Sequence, residues 1–254
     1  MNPDVVVDVG NSRVKWGLCR DDRVAEVVSL SGNPTDWQEQ QDRWQLTGQH
    51  RWVLSGVQPQ HCRELADWLT QHGQTVLLLH SPDQLPLTTN LAQPEKAGID
   101  RLLNAVAANR RRHAEHAALI VDAGSAITVD VVNESGTFCG GAILPGLRLM
   151  AQSLHDYTAL LPLVKIDDKP SPLGTDTITA MKVGIYWSAV GAVEKLLHLQ
   201  KATGKVDVFL TGGDAPLLAT GLDHPVTLWP EMTLEGVRLS ARNLFHNNET
   251  NHVR

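Results

Sequence analysis

Two short stretches set an acid, a glycine and a hydroxyl side by side at the turn between valine-rich strands. The first is Asp8-Val9-Gly10-Asn11-Ser12, returning through Lys15; the second is Asp122-Ala123-Gly124-Ser125, within Leu119–Asp130. A carboxylate can hold magnesium or its water, a glycine lets the backbone approach a phosphate closely, and a hydroxyl can hydrogen-bond phosphate oxygen. Lys15 adds a positive charge able to follow a phosphate. Taken singly, each copy is also ordinary turn chemistry, because Asp and Gly are common hairpin residues. Two copies in matched surroundings favour a paired phosphate grip, and Lys15, which has no basic counterpart in the second copy, marks the first hairpin as the stronger half.

Other residues could join them. Thr211-Gly212-Gly213 follows a strand directly, and glycines there suit a loop on which a flat base or ribose rests, as well as a plain strand-to-helix turn. Asp100 opens a helix, where a carboxylate caps free backbone N–H groups. Beside Arg101 and after a long loop, the same carboxylate is what a kinase needs to take a proton from an attacking hydroxyl while the arginine holds an anionic substrate. The position admits both readings. Gly204-Lys205 is followed by Val206, which excludes a G-x-x-x-x-G-K-[ST] loop, and neither G-x-G-x-x-G nor G-x-S-x-G is present. His113 and His116 share a helical face without an acidic or cysteine companion, so they read as solvated surface residues rather than zinc ligands. Arg110–Arg112 complements the negative end of its helix and is the one feature a nucleic-acid-binding role could use.

The elements that must position these groups follow from periodicity. Val14, Trp16 and Leu18 alternate with Arg13, Lys15 and Gly17, so Lys15 projects from the face opposite Trp16. Strands are predicted at Arg51–Val57, Thr75–His80 and Val206–Leu210, and helices at Pro59–His72, after Arg101, at Leu147–Leu161, at Thr177–Lys201 and at Leu234–Phe245. Ser31–Asp36 and Ser81–Ala97 read as loops, Thr137–Gly146 as a glycine-rich segment, and Asn247–Arg254 as a frayed tail. Strands interleaved with helices indicate an α/β protein, and the repeated hairpin indicates a duplicated fold with a cleft between its halves. The chain has 254 residues, 42% of them hydrophobic and 20% charged, enough for a large core or two of ordinary size. A net charge of −6 argues against a general nucleic-acid or anionic-membrane binder. Three separated cysteines suit a reducing compartment, and with neither a basic leader nor a long apolar run the expectation is cytoplasmic.

Taken in order, Asp8–Lys15 (DVGNSRVK), Gly98–Arg101 (GIDR), Asp122–Thr128 (DAGSAIT), Gly140–Gly146 (GGAILPG) and Thr211–Gly213 (TGG) resemble the type III pantothenate kinases of the acetate/sugar kinase, Hsp70 and actin superfamily. The resemblance implies a duplicated actin/ribonuclease H-like ATPase fold. Its two domains would be 1–117 and 118–254, with a nucleotide cleft between them, in a homodimer. It implies ATP-dependent phosphorylation of pantothenate to 4'-phosphopantothenate, the first step of coenzyme A synthesis, with Mg2+ and a monovalent cation, K+ or NH4+. By motif position Asp100 is the general base, and Gly98, Ile99, Arg101 and Thr177 contact pantothenate. Asp8, Gly10, Asn11, Ser12 and Lys15 form the first phosphate loop, with Asp8 reaching Mg2+ through a water. Asp122 holds K+, Ser125 contacts ATP, and Gly212 and Gly213 complete the nucleotide site. The family usually carries threonine where Ser12 and Ser125 stand, and tyrosine is common where this chain has Leu91. Members have also been described as transcriptional accessory factors, the alternative to catalysis.

Overall fold

In the computed structural model, which describes residues 2–10, 13–201 and 204–251, the chain divides into two compact units, Met1–Arg110 with Glu231–Arg254, and Arg111–Pro230. In the first unit β1 (Val5–Val9), β2 (Val14–Arg20) and β3 (Arg23–Leu30) form an antiparallel meander, and β4 (Arg51–Gly56) and β5 (Thr75–Leu79) add in parallel on the other side of β1. The strand order is β3-β2-β1-β4-β5. The valine run of β1 is central and almost wholly buried, whereas the edge strand β3 is mostly exposed. Helices α1 (Pro34–Arg43) and α2 (Pro59–Gln71) pack with one face of this sheet. There Trp16 and Trp52, both fully buried, meet edge-to-face with ring centroids 4.8 Å apart.

The second unit repeats the plan. β6 (Ala117–Ala123), β7 (Ala126–Val132) and β8 (Phe138–Pro145) are antiparallel, β9 (Val206–Thr211) and β10 (Thr227–Leu228) extend the sheet in parallel, and the order is β8-β7-β6-β9-β10. A core on this sheet is filled from α5 (Thr177–Lys201), whose Met181, Ile185, Val190, Val193 and Leu197 are buried at the helical spacing expected of them. α4 (Leu147–Asp156) stops short of the expected Leu161, and α6 (Ala215–Ala219) follows β9.

Several elements differ from the expected ones for local reasons. The Ser31–Asp36 loop leads into α1, because Asn33 accepts the Thr35 N–H at 3.0 Å and Pro34 suits the first helical position. The glycine-rich segment is strand β8, hidden from a period-2 reading because Gly140 and Gly141 carry no side chain. The terminal helix α7 runs Met232–Asn251, so Asn247–Asn251 is helical rather than a tail. α7 also departs from the expected 117/118 division, since it packs on β1 to β4 of the first unit. Buried Arg238 donates to Glu235 Oε2 at 2.8 Å, Glu235 Oε1 accepts the Val24 N–H at 2.7 Å, and Arg238 reaches Asp22 in the β2–β3 turn at 3.4 Å. A pair buried this way is tied to its partners, and with it the helix. Among the described residues, no helix is long and apolar enough to cross a membrane.

The cysteines give a direct check on packing. Burial pushes the Cys19 thiol up to about 12 and the Cys62 thiol up to about 11, the latter helped by the negative charge of Asp8, while Cys139 is exposed. A thiol reagent at about pH 8 attacks thiolates, so one thiol per folded chain is expected to react quickly and the other two only on unfolding. Rapid reaction of all three would contradict this packing.

Candidate active site

The first hairpin sets Asp8, the penultimate residue of β1, directly opposite Lys15 of β2 and beside Ser55 of β4. Residues opposed across an antiparallel pair share a sheet face. Val5, Val7, Val9 and Trp16 belong to the tryptophan core, so Asp8 and Lys15, both half-buried, occupy the other face, as the alternation predicts. The turn is closed by the Gly10 N–H donating to the Arg13 carbonyl at 3.0 Å. Asn11 and Ser12, assigned to the phosphate loop by motif position, lie outside the described residues.

The second hairpin follows the same register. Asp122, penultimate in β6, is opposite Thr128 of β7 and beside Thr211 of β9, so Thr128 holds the place of Lys15 and Thr211 that of Ser55. The turn is tighter, with the Gly124 N–H donating to the Ala126 carbonyl at 3.0 Å and Ser125 exposed at its tip. The loop after β9 lies on this hairpin. The Asp214 N–H donates to the Ala123 carbonyl at 2.9 Å, and Gly212 has φ +93°. A Cβ at Gly212 would stand 2.4 Å from the Ala123 carbonyl oxygen and 2.6 Å from Asp122 Oδ1. Only glycine meets both the left-handed backbone and the contact. Gly213 is exposed and a Cβ there meets nothing within 4 Å, so the two glycines, equivalent in the sequence, are not equivalent in the fold.

Asp100 lies in the first turn of α3 (Ile99–Arg111). Its Oδ1 accepts the Arg101 N–H at 2.9 Å, and a Cβ on Gly98 would come within 2.6 Å of the same oxygen. Gly98 therefore provides the room in which the carboxylate folds back over the helix start. Thr177, in the second unit, begins α5 and is exposed on a groove of about 630 Å3 that Met150, Leu154, Leu161 and Met181 also line. Asp176 precedes it and caps the helix by accepting the Thr179 N–H at 3.0 Å. Leu91 is half-buried in the long loop, which contains short helical turns at Pro82–Gln84 and Pro94–Lys96.

Two groups escaped the sequence reading. The Thr128 hydroxyl is buried without a hydrogen-bond partner, and leaving a buried donor unpaired costs about 1–3 kcal/mol. Asp214, half-buried at the start of α6, has its carboxyl pushed up by burial. The register with Asp122 identifies Thr128, and the residue after Thr211-Gly212-Gly213 would have been worth reading. Carboxylate and hydroxyl oxygens form a hard donor set, suited to magnesium or potassium rather than to a soft metal. The unpartnered hydroxyl, on the residue opposite Asp122, fits this donor set. The basic run is largely engaged within the second unit: Arg112 donates to the carbonyls of His113, Ala114 and His116, and Arg111 lies over the Trp229 ring at 4.7 Å.

Comparison with known proteins gives the family and the fold. The profile of the type III pantothenate kinase family matches residues 5–199. A type III pantothenate kinase of Gluconobacter oxydans is 31% identical over 250 residues, 93% of this chain and 92% of its own. One from Acidiphilium cryptum is 44% identical over 185 residues, covering 71% and 67%. Among solved structures, a conserved protein from Campylobacter jejuni described as a Baf family transcriptional activator superposes with a TM-score of 0.58 at 21% identity, over 95% of this chain and 99% of that one. The fold is thus the duplicated α/β ATPase fold that the paired hairpins imply. A profile match over most of the chain, with relatives aligned along nearly all of it, is a likeness of whole sequences rather than of motifs, and the chain belongs to the type III pantothenate kinase family.

Proposed function

We propose that the protein transfers the γ-phosphoryl group of ATP to the primary alcohol of pantothenate, giving 4'-phosphopantothenate and ADP in the first step of coenzyme A synthesis. The observation that carries this reading is the repeated register, Asp8 opposite Lys15 and Asp122 opposite Thr128, on two sheets of identical order. Asp100 accepts the hydroxyl proton as the new O–P bond forms and the β–γ bridge breaks. Gly98, Ile99, Arg101 and Thr177 hold pantothenate, the arginine pairing with its carboxylate. Lys15, Gly10, Asn11 and Ser12 hold the phosphates, Asp8 orients a magnesium-bound water, and Ser125, Gly212 and Gly213 take the rest of the nucleotide. Asp122 and the Thr128 hydroxyl offer oxygen ligands to a monovalent cation. When bound, the cations neutralise the charge that develops on the phosphates.

The protein acts in the cytoplasm as a homodimer in this reading. Leu149, Tyr157, Leu160, Leu163 and Ile178 are exposed near the α4–α5 groove, an apolar surface of the kind that a second copy covers. Sedimentation as a monomer at assay concentration would remove that part.

Purified protein with ATP, Mg2+ and K+ is expected to form 4'-phosphopantothenate only when pantothenate is present, and more slowly with Na+ in place of K+. Normal nucleotide binding without product would overturn the assignment, and equal rates in Na+ and K+ would remove the cation site.

A further inference from the structure

The fold brings to His113 and His116 an acidic companion from a distant strand. His113 to His116 form a turn between α3 and β6, closed by the His116 N–H donating to the His113 carbonyl at 3.1 Å. One Arg112 guanidinium nitrogen clamps the turn through three carbonyls, those of His113, Ala114 and His116, at 2.7–3.2 Å. The two imidazoles consequently face the same way, with ring centroids 4.7 Å apart. Asp207 comes from β9, which pairs in parallel with β6, and its carboxylate sits between the rings. His113 Nδ1 is 2.9 Å from Oδ2 and 3.1 Å from Oδ1, His116 Nδ1 is 2.9 Å from Oδ1, and the His113 N–H donates to Oδ2 at 2.7 Å.

We infer that His113, His116 and Asp207 form a binding site for a divalent transition ion of the zinc class, held by two imidazole nitrogens and one carboxylate oxygen. The ligand atoms all lie within 4.8 Å of one another. Zinc bonds of about 2.0–2.2 Å at tetrahedral angles separate neighbouring ligand atoms by roughly 3.4 Å, so the 2.9 Å histidine–carboxylate contacts would open by about half an ångström as the donors gather around the ion. Two nitrogens and one oxygen select zinc, cobalt or nickel over magnesium and calcium. One carboxylate charge balances half of the ion's. His113 is 76% exposed, which leaves the outer side open for water to complete the coordination. A hollow of about 350 Å3 lined by His113, Asp207 and His224 adjoins the site. A separate arginine and a strand pairing fix the three donors, drawn from two elements, before any ion binds. Bound metal would clip the start of β6 to β9 and stabilise the second unit. The site shares no residue with the proposed active site.

The test uses tag-free, chelator-treated protein titrated with Zn2+ by calorimetry, with Co2+ as a spectroscopic probe. The expected result is one saturable site per chain, a rise in melting temperature with Zn2+, and visible Co2+ bands. His116→Gln and His113→Gln should each weaken binding by at least about tenfold, the lower bound for perturbing a metal site. Asp207→Asn should do the same while its amide oxygen can still accept the His113 N–H; if that variant fails to fold, the two histidine variants decide alone. Kinase activity assayed with Mg2+ and K+ but no Zn2+ should be unchanged in His113→Gln. No saturable binding at about 100 µM Zn2+, or binding equally tight in both histidine variants, would overturn the site and leave Asp207 as a hydrogen-bonded bridge between two imidazoles.

Discussion

Asp100→Asn is expected to lower kcat by about 10²–10⁴-fold, the usual worth of a general base, with KM for pantothenate little changed and the melting temperature held. The substitution separates the two roles the residue can play. Asp100 Oδ1 accepts the Arg101 N–H at 2.9 Å, and an amide oxygen can accept it as well, so asparagine keeps the cap and loses the proton acceptor. Asp100→Ala loses both and should also destabilise the protein by about 0.5–2 kcal/mol. Turnover near the parent rate in Asp100→Asn would reduce the residue to a cap of α3 and require another base.

The second large effect is expected at Gly212. Gly212→Ala forces a side chain into a left-handed backbone and drives its Cβ to within 2.4 Å of the Ala123 carbonyl and 2.6 Å of Asp122. Backbone strain and overpacking together should cost about 2–6 kcal/mol, read as a lower melting temperature, and the displaced Asp122 should weaken nucleotide binding. Gly213→Ala is the control. Its Cβ meets nothing within 4 Å, so stability should stay within about 0.5 kcal/mol, and any loss of nucleotide affinity there reports contact with the ligand itself. If the two variants melt alike, the packing of the loop after β9 on the second hairpin is wrong.

These expectations rest on parts of the protein that the sequence reveals unequally. The paired hairpins, the face on which Lys15 stands, and the buried stripe of α5 were readable because a strand repeats every two residues and a helix every 3.6. Those periods are local properties. The start of α1 was readable in principle from Asn33-Pro34, whereas β8 was hidden where glycine removes the pattern.

By itself the sequence determined the α/β class, the duplication, the family and the residues from which an active site could be assembled, since turn chemistry and alternation act between neighbours along the chain. Only the tertiary structure decided that Gly212 rather than Gly213 is sterically obliged, that Thr128 is the buried hydroxyl opposite Asp122, that α7 packs with the first sheet, and that Asp207 completes the histidine pair. Each depends on which distant strands pair or which helix lies on which sheet. That adjacency is set by burial over a whole unit, and no spacing within one segment encodes it.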